Sequence, residues 1–402
     1  MGVELPIGGL PLDVTGIASG VRGIAYLIWW FVLLMMACIG PHSFGILAIY
    51  GAILVVTLSV VHRTTISSSF QMSSTVVRSI CALVLIALVL WVSIGYQRTG
   101  DRDEALQLAT SRLIHGEFPY SARTSLGNAV TPFPGALLLA IPFVIIGNVG
   151  LGLQSIVCLA SLSVYLQKFI RRSTSQGILF FTLICCPVVL TQLRSHGDLV
   201  SNAIYVMMAF SFMLECAMTS PDKWRRMSLV AVLCGVSLSS RLNVFLMMPT
   251  LFFGLRFFLG LKSAIKYIAL VIGAFLLVSL PFFLYDPAGF SPLHLVSERL
   301  QETAGWKPFG VLTIPFVVGV IAVSLGLIRK RWTMQSFWMD LGIVQFLLFT
   351  ASYVSGYLHN SNYYLDGYGI FYIFTGCAAC SLGLEMEVLH EKVSFQYLNV
   401  NR

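Results

Sequence analysis

Acidic residues are concentrated at the start of the longest polar stretch in the chain. Asp101, Asp103 and Glu104 begin this stretch, which runs to Pro134 between two apolar segments. A carboxylate here could take a proton from an attacking hydroxyl group, which is general base catalysis. The structural alternative is that an Asp before a helix caps it and stabilises it by about 1 kcal/mol. Asp101 fits capping better than Asp103 does, so Asp103 is the first candidate for the base and Asp101 the second.

A second polar group interrupts an apolar segment. Residues 228–255 are apolar except for a polar centre that contains Arg241 and Asn243. A charge inside a membrane is costly and is usually buried against a partner, and a guanidinium can bind phosphate through two parallel N–H groups. We therefore predict two short helices that meet at Arg241 beside a cavity, with both residues binding substrate. The alternative is an Arg that extends to the membrane surface.

Further candidates for substrate binding lie in other polar positions. They are Glu104, Tyr120, Asp198 and Arg299. The alternatives are an ion pair for Glu104 and solvated loop charges for Asp198 and Arg299. The spacing of the loop histidines matches no metal motif, so we predict no metal site and no required cofactor. Histidines with carboxylates are nevertheless a donor set that a divalent cation accepts.

The elements that position these residues must be membrane helices. The chain has 402 residues, mean hydropathy +0.85 and 10% charged residues, against about 25% in soluble domains. Apolar segments near the roughly 20 residues of a bilayer span lie at 23–40, 43–61, 77–96, 149–167, 176–193, 199–217, 267–285, 308–328, 338–358 and 366–384. Spanning segments must satisfy their own backbone hydrogen bonds. We therefore predict an all-α, polytopic membrane protein with about 11–13 transmembrane helices once broken segments are counted.

Charge separates the loops into two sets. Basic residues dominate the loops at 168–172, 223–226, 256–266 and 329–331, whereas the acids lie mainly at 97–133, 194–198, 286–307 and 359–366. The positive-inside rule places the first set in the cytoplasm and the second outside. The net charge of +8 thus reflects topology, and we predict no nucleic-acid partner.

Two elements fit this topology without spanning the membrane. Residues 134–147 are apolar but short, so we expect them to be re-entrant or to lie at the interface; the alternative is that residues 168–172 face outside. Residues 103–115 have the pattern of an amphipathic interfacial helix in the first large external loop, which Gly116 and Pro119 end.

These motifs, taken in order, resemble the GT-C superfamily of membrane glycosyltransferases. The pattern is an acid after a spanning helix, an interfacial helix, Gly-x-x-Pro-Tyr and a Pro-rich start to the next apolar helix. The matching positions are Asp101 or Asp103, Gly116 to Tyr120, His196 to Asp198, Ser239 to Asn243 with Pro249, and Pro281 to Phe290. The resemblance covers residues 77–384 in order and spacing only. It leaves residues 1–76 as a preceding helical hairpin and 385–402 as a cytoplasmic tail.

The resemblance implies a hexosyltransferase, with mannose as the specific expectation. The donor would be a sugar on a polyprenyl phosphate, and the acceptor a lipid or glycan on the extracytoplasmic face of a bacterial plasma membrane. Asp103 or Asp101 would act as the base, Arg241 would hold the phosphate, and an apolar groove would hold the isoprenoid. The competing functions are a transporter or flippase for an amphiphilic solute, and a non-catalytic membrane subunit of an envelope complex.

Overall fold

The computed structural model describes residues 74–94, 101–147, 149–166, 187–219, 224–294 and 309–329, with short stretches between 332 and 347. Within these ranges the regular elements are helices, and the β-type pairing is a single bridge between Arg123 and Ala129. The α-helices are α1 (Ser74–Ile94), α2 (Arg102–Ile114), α3 (Pro134–Val144), α4 (Gly150–Leu166), α5 (Pro187–Arg194), α6 (Leu199–Thr219), α7 (Trp224–Leu238), α8 (Met248–Leu259), α9 (Leu261–Tyr285) and α10 (Phe309–Ile328). The candidate Arg299, the tail 385–402 and nearly all of the predicted unit 1–76 lie outside the described residues.

Helices α6 and α9 are both long and apolar enough to cross a bilayer, and they occupy different environments. Most of α6 is buried, including Val206, Phe210 and Met213, so it forms the centre of the bundle. α9 instead exposes large apolar side chains such as Leu277 and Leu284. A soluble protein rarely exposes such a continuous apolar surface, whereas lipid accommodates it without cost.

The packing fixes the relative directions of the helices. α7 and α9 run side by side in the same direction, because Gly235 lies against Val271 and the Ser239 hydroxyl lies 3.0 Å from that of Ser279. Asp198, just before α6, bonds to Arg241, just after α7. α6 therefore runs antiparallel to α7, and its first turn lies at the end of the bundle where α7 and α9 finish.

This arrangement places most of the described acids at one end of the bundle and the basic loops at the other, as the loop pattern predicts. One end of the bundle, called the acidic end below, carries Asp101, Asp103, Asp198 and Asp286. The other, the basic end, carries Arg225, Arg226, Arg256, Lys262 and Arg329. At the basic end Arg329 donates to both carboxylate oxygens of buried Asp340, with Nε 2.6 Å from Oδ2. Which end faces the cytoplasm stays a prediction of the positive-inside rule.

The short apolar helix α3 lies across the acidic end. At its start, the Gly135 N–H donates to the Ser239 carbonyl over 3.0 Å, next to the end of α7. At its finish it abuts Gly150, and the first turn of α4 lies against His196. Both ends of α3 thus lie at the acidic end, which agrees with the expectation that 134–147 does not cross the membrane.

The apolar segment at 228–255 is broken, as the sequence predicts. α7 ends at Leu238, a turn follows at Ser239 and Ser240, and residues Leu242–Met247 form a 3₁₀ helix that leads into α8. Arg241 sits at the junction in an extended conformation. The turn is closed by hydrogen bonds from Ser240 N to Ser237 O and from Arg241 N to Leu238 O, so these two N–H groups of the break find partners within the protein.

Close packing of α7 on α9 depends on Gly235. A Cβ at this position would lie 2.3 Å from the Val271 carbonyl oxygen and 2.6 Å from the Ala274 Cβ. We expect Gly235→Ala to destabilise the protein by about 1–3 kcal/mol, because the helices must move apart. The matched control is Gly273→Ala on α9, where a Cβ meets no atom within 4 Å. Thermal unfolding in detergent micelles checks this, and equal melting temperatures for the two variants would contradict it.

Candidate active site at the acidic end

Asp103 lies in the first turn of α2 and is 4% exposed. At helical spacing it shares a face with Leu106 and Thr110, which are also buried. Leu106 packs with Phe133 and Leu137 of the segment that leads into and forms α3. The helix predicted at 103–115 is thus present at Arg102–Ile114, and its buried face holds Asp103 against the protein.

Asp101 and Glu104 have a different environment from Asp103. Oδ2 of Asp101 accepts hydrogen bonds from Thr124 Oγ1 at 3.1 Å and from Asn128 Nδ2 at 2.6 Å. Oε2 of Glu104 accepts from the backbone N–H and the hydroxyl of Ser125, at 3.0 and 2.8 Å. Asp101 is the N-cap residue of α2, yet its side chain makes no capping hydrogen bond. Both acids therefore hold the turn at residues 124–128.

Tyr120 lies in an aromatic cluster that joins two loops of the acidic end. Its ring makes edge-on contacts with Phe282 and Phe290, at 6.1 and 4.9 Å between centroids, and its hydroxyl donates to the Pro132 carbonyl over 3.0 Å. Burial raises the pKa of the Tyr120 phenol, which keeps the hydroxyl a neutral donor. The Gly-x-x-Pro-Tyr motif and the Pro281 to Phe290 motif thus pack on each other.

Asp198 and Arg241 form a buried ion pair. Their side chains are 1% and 10% exposed, and Arg241 Nη2 donates to Asp198 Oδ2. Asn202, one turn into α6, donates to the same oxygen over 2.8 Å. The other oxygen, Oδ1, is buried and accepts no hydrogen bond from the described residues. A donor group of a ligand would complete the coordination of this carboxylate.

The turn before Asp198 is held in an unusual conformation. His196 has φ = 53°, a left-handed conformation that costs roughly 1–2 kcal/mol for a residue with a side chain. Its buried ring lies against Gly152 of α4. Such conformations persist where the surrounding packing enforces them, often at functional sites. Residues 196–198 are therefore held in a defined conformation at the acidic end.

The first turn of α3 lies next to both groups of candidate residues, the acids of α2 and the residues of the helix break. Leu106, on the face of α2 that carries Asp103, belongs to the same buried apolar cluster as Leu137 of α3. Ser239, two residues before Arg241, receives the Gly135 N–H on its hydroxyl over 2.9 Å. α3 therefore ties α2 to the helix break. Asn243 belongs to the 3₁₀ helix that follows, and its side chain lies outside the described part of the chain.

An apolar groove begins beside the helix break. It has a volume of about 340 Å³, and every residue that lines it is apolar: Phe245, Met248, Pro249, Phe252, Phe253, Ile268, Ile272 and Val323. Ile272 lies about 10 Å along α9 from Ser279 towards the basic end, at 1.5 Å per residue. The groove thus runs along α8 and α9 from the 3₁₀ helix that follows Arg241 towards the basic end.

The histidines of the acidic end are dispersed. The His115 ring lies 2.8 Å from the Ser111 carbonyl of its own helix, and the His294 ring lies 3.1 Å from the Pro287 carbonyl. Among the described residues, no three His, Cys, Asp or Glu side chains are grouped to hold a metal ion. His359 lies outside those residues.

Sequence reasoning missed the side chains that hold the candidates in place. Thr124, Ser125 and Asn128 bind the two outer acids of α2, and Asn202 binds Asp198. Asn202 had a sequence signal, because it follows Asp198 by one helical turn. The other three are ordinary turn residues, and only the folding of the loop onto α2 identifies their partners.

Comparison with solved structures identifies a protein that shares the fold of this chain. No protein-family profile matches the chain, and no curated protein matches it by sequence. Among solved structures, ArnT from Cupriavidus metallidurans, crystallised with undecaprenyl phosphate, superposes with a TM-score of 0.53 at 13% sequence identity. The match covers 78% of this chain and 61% of ArnT, so the chain corresponds to less than two thirds of that protein. In its described residues the chain is therefore a helical membrane protein, and it shares its fold with ArnT.

Proposed function

We propose that the chain is a membrane glycosyltransferase that uses a sugar carried on a polyprenyl phosphate. The observation that carries this proposal is the set of side chains at the acidic end. They lie in a fold shared with a protein crystallised with undecaprenyl phosphate. At this end the buried Asp103 and the Asp198–Arg241 pair are connected through α3, and an apolar groove lies beside the helix break that carries Arg241. A base, a cation and a lipid groove are the three elements that such a transfer requires.

The chemistry assigned to these residues is a displacement at the anomeric carbon. Asp103 takes the proton of the acceptor hydroxyl, whose oxygen attacks the anomeric carbon as the bond from that carbon to the phosphate oxygen breaks. Polyprenyl phosphate leaves with the bonding electrons. Arg241 stabilises the charge that develops on it, since a guanidinium has five N–H donors and can contact phosphate while keeping its bond to Asp198.

The specific assignments are a hexose, with mannose tested first, and a lipid or glycan acceptor. Asp198 Oδ1 is a suitable acceptor for a sugar hydroxyl, because it is buried and no described residue donates to it. The acidic end faces outwards in the topology that the positive-inside rule predicts. We assign the protein to a bacterial plasma membrane, with its active site on the extracytoplasmic side.

If the groove holds the isoprenoid chain of the donor, the effect of blocking it should depend on the length of that chain. Ile272→Trp places an indole in the apolar groove, so we expect KM for a long-chain polyprenyl donor to rise about tenfold, which corresponds to about 1.4 kcal/mol of binding. KM for a donor with one or two isoprene units should change little. The control is Leu277→Trp on the same helix, which is 76% exposed and does not line the groove. Equal KM values for the two variants with the long donor would contradict the assignment of the groove.

The proposed activity is tested with purified protein in lipid nanodiscs. Radiolabelled polyprenyl-phosphate mannose is supplied with a membrane extract as the source of acceptor, and release of polyprenyl phosphate is followed by chromatography. Donors carrying glucose or arabinose are run in parallel to separate the wrong sugar from the wrong activity. If none of the three is consumed while proteoliposomes scramble a labelled lipid or move the intact donor, the transporter alternative replaces the enzyme.

A further inference from the structure

The first turn of α2 carries three acids that face in different directions. Asp101 and Glu104 are three residues apart, so they share one face, whereas Asp103 points away from both at 100° per residue. Asp101 and Glu104 are half-buried against the turn at 124–128, and Asp103 is almost fully buried. Helical geometry therefore places the three carboxylates in two different environments.

The turn at 124–128 is itself a well-defined unit. The Thr124 N–H donates to the Asn128 carbonyl over 3.0 Å, the Asn128 N–H donates to the Thr124 hydroxyl over 3.2 Å, and Gly127 supplies the left-handed residue with φ = 80°. A bridge between Arg123 and Ala129 closes its base. The turn therefore presents fixed donors to the two carboxylates.

The loop is also fastened on its other side. The Val130 carbonyl, just beyond the turn, accepts a hydrogen bond from the Ser291 hydroxyl over 2.5 Å, and Val130 is fully buried. Ser291 follows α9 in the loop whose Phe290 packs on Tyr120. The turn thus connects the start of α2 to the end of α9.

Asp101 makes these contacts in place of a helix cap. An Asp at the N-cap usually accepts a hydrogen bond from the second or third N–H of its helix, which contributes about 1 kcal/mol. Here the side chain makes no such bond and accepts two hydrogen bonds from the turn instead. Its contacts fix the orientation of the start of α2 relative to α9. They do not stabilise the helix by capping it.

We propose that Asp101 and Glu104 are positioning residues that clamp the first turn of α2 to the turn at 124–128 and so set the position of Asp103. This proposal depends on the proposed function, because Asp103 is the base of that reaction. Displacing a reacting group by about 1 Å costs roughly 100-fold in rate. Asp101 therefore affects the rate through the position of Asp103, without exchanging a proton with the substrate.

The kinetic test compares Asp101→Ala with Asp101→Asn. The Ala variant loses both hydrogen bonds, so we expect kcat to fall roughly 10- to 100-fold with KM nearly constant. The Asn side-chain oxygen can still accept from Thr124 and Asn128, so Asp101→Asn should recover most of that loss. Glu104→Ala and Glu104→Gln should show the same contrast, which gives a second pair if one variant folds poorly. The acidic limb of the pH–rate profile should persist in Asp101→Ala.

A structural measurement tests the clamp without reference to catalysis. Arg123 is exposed at the base of the turn, so limited trypsin digestion of the full-length protein reports on how firmly the turn is held. Cleavage after Arg123 should be faster in Asp101→Ala and Glu104→Ala than in the native protein, and near the native rate in Asp101→Asn and Glu104→Gln. This measurement remains informative if the native protein transfers no sugar.

Three outcomes would overturn the proposal. If Asp101→Asn is as inactive as Asp101→Ala and loses the acidic limb of the pH–rate profile, Asp101 is the base. If Asp101→Ala has native kcat, the clamp does not position the base. If digestion after Arg123 is unchanged in both Ala variants, the hydrogen bonds do not hold the turn. Absence of sugar transfer by the native protein, with the digestion contrast intact, would reject the proposed function and keep the clamp.

Discussion

Asp103→Asn should lower kcat by roughly 100- to 10,000-fold, which is the usual contribution of a general base. The amide has nearly the same shape as the carboxylate, so the packing of α2 on α3 through Leu106 is retained. It cannot accept a proton from the acceptor hydroxyl at neutral pH. KM for the lipid donor should change little, because the groove and Arg241 are untouched. Initial rates of polyprenyl phosphate release, measured in nanodiscs over a range of donor concentrations, provide the check.

The matched control for this experiment is Asp286→Asn at the same end of the bundle. Oδ1 of Asp286 accepts a hydrogen bond from the Gly289 N–H over 2.9 Å, and an Asn oxygen can accept the same bond. Near-native rates are therefore expected for this variant. If Asp103→Asn is active and folded while Asp101→Asn is inactive, the base is Asp101, and the division of tasks between the three acids is wrong.

Loss of one member of the buried ion pair should have the second large effect. Arg241→Ala leaves the Asp198 carboxylate buried without its cation, which destabilises a protein by about 3–5 kcal/mol. The same variant removes the proposed phosphate contact, so the transfer rate should also fall. Thermal unfolding in detergent micelles and transfer assays on the same preparations measure the two effects together.

A double substitution separates stability from catalysis. Asp198→Asn with Arg241→Gln removes both charges and keeps groups that can hydrogen-bond to each other and to Asn202. We expect this variant to recover much of the lost stability, since no unpaired charge remains, and to stay catalytically impaired, since no cation faces the phosphate. Recovery of native transfer rates in the double variant would show that Arg241 serves the fold and not the reaction.

The sequence predicted the class of fold because the controlling effects are local. An apolar segment in lipid must form a helix, since its backbone groups find no other partners. Polar residues at 239–243 inside such a segment predicted the break, and the structure has it at Leu238–Leu242. The length of 134–147 predicted a helix that does not cross, and α3 lies across the acidic end. Each of these inferences needed only neighbouring residues.

The pairing of the candidate side chains was decided by tertiary structure. The sequence nominated Asp198 and Arg241 separately, but the antiparallel packing of α6 and α7 makes them partners. It favoured Asp103 over Asp101 as the base only narrowly, because two acids two residues apart look alike in a sequence. The folded loop gives them different surroundings: the turn at 124–128 bonds to Asp101, whereas Asp103 faces the buried side of α2. Composition and periodicity act over a few residues and so determine the helices, whereas hydrogen bonds between segments distant in sequence exist only once those helices have packed.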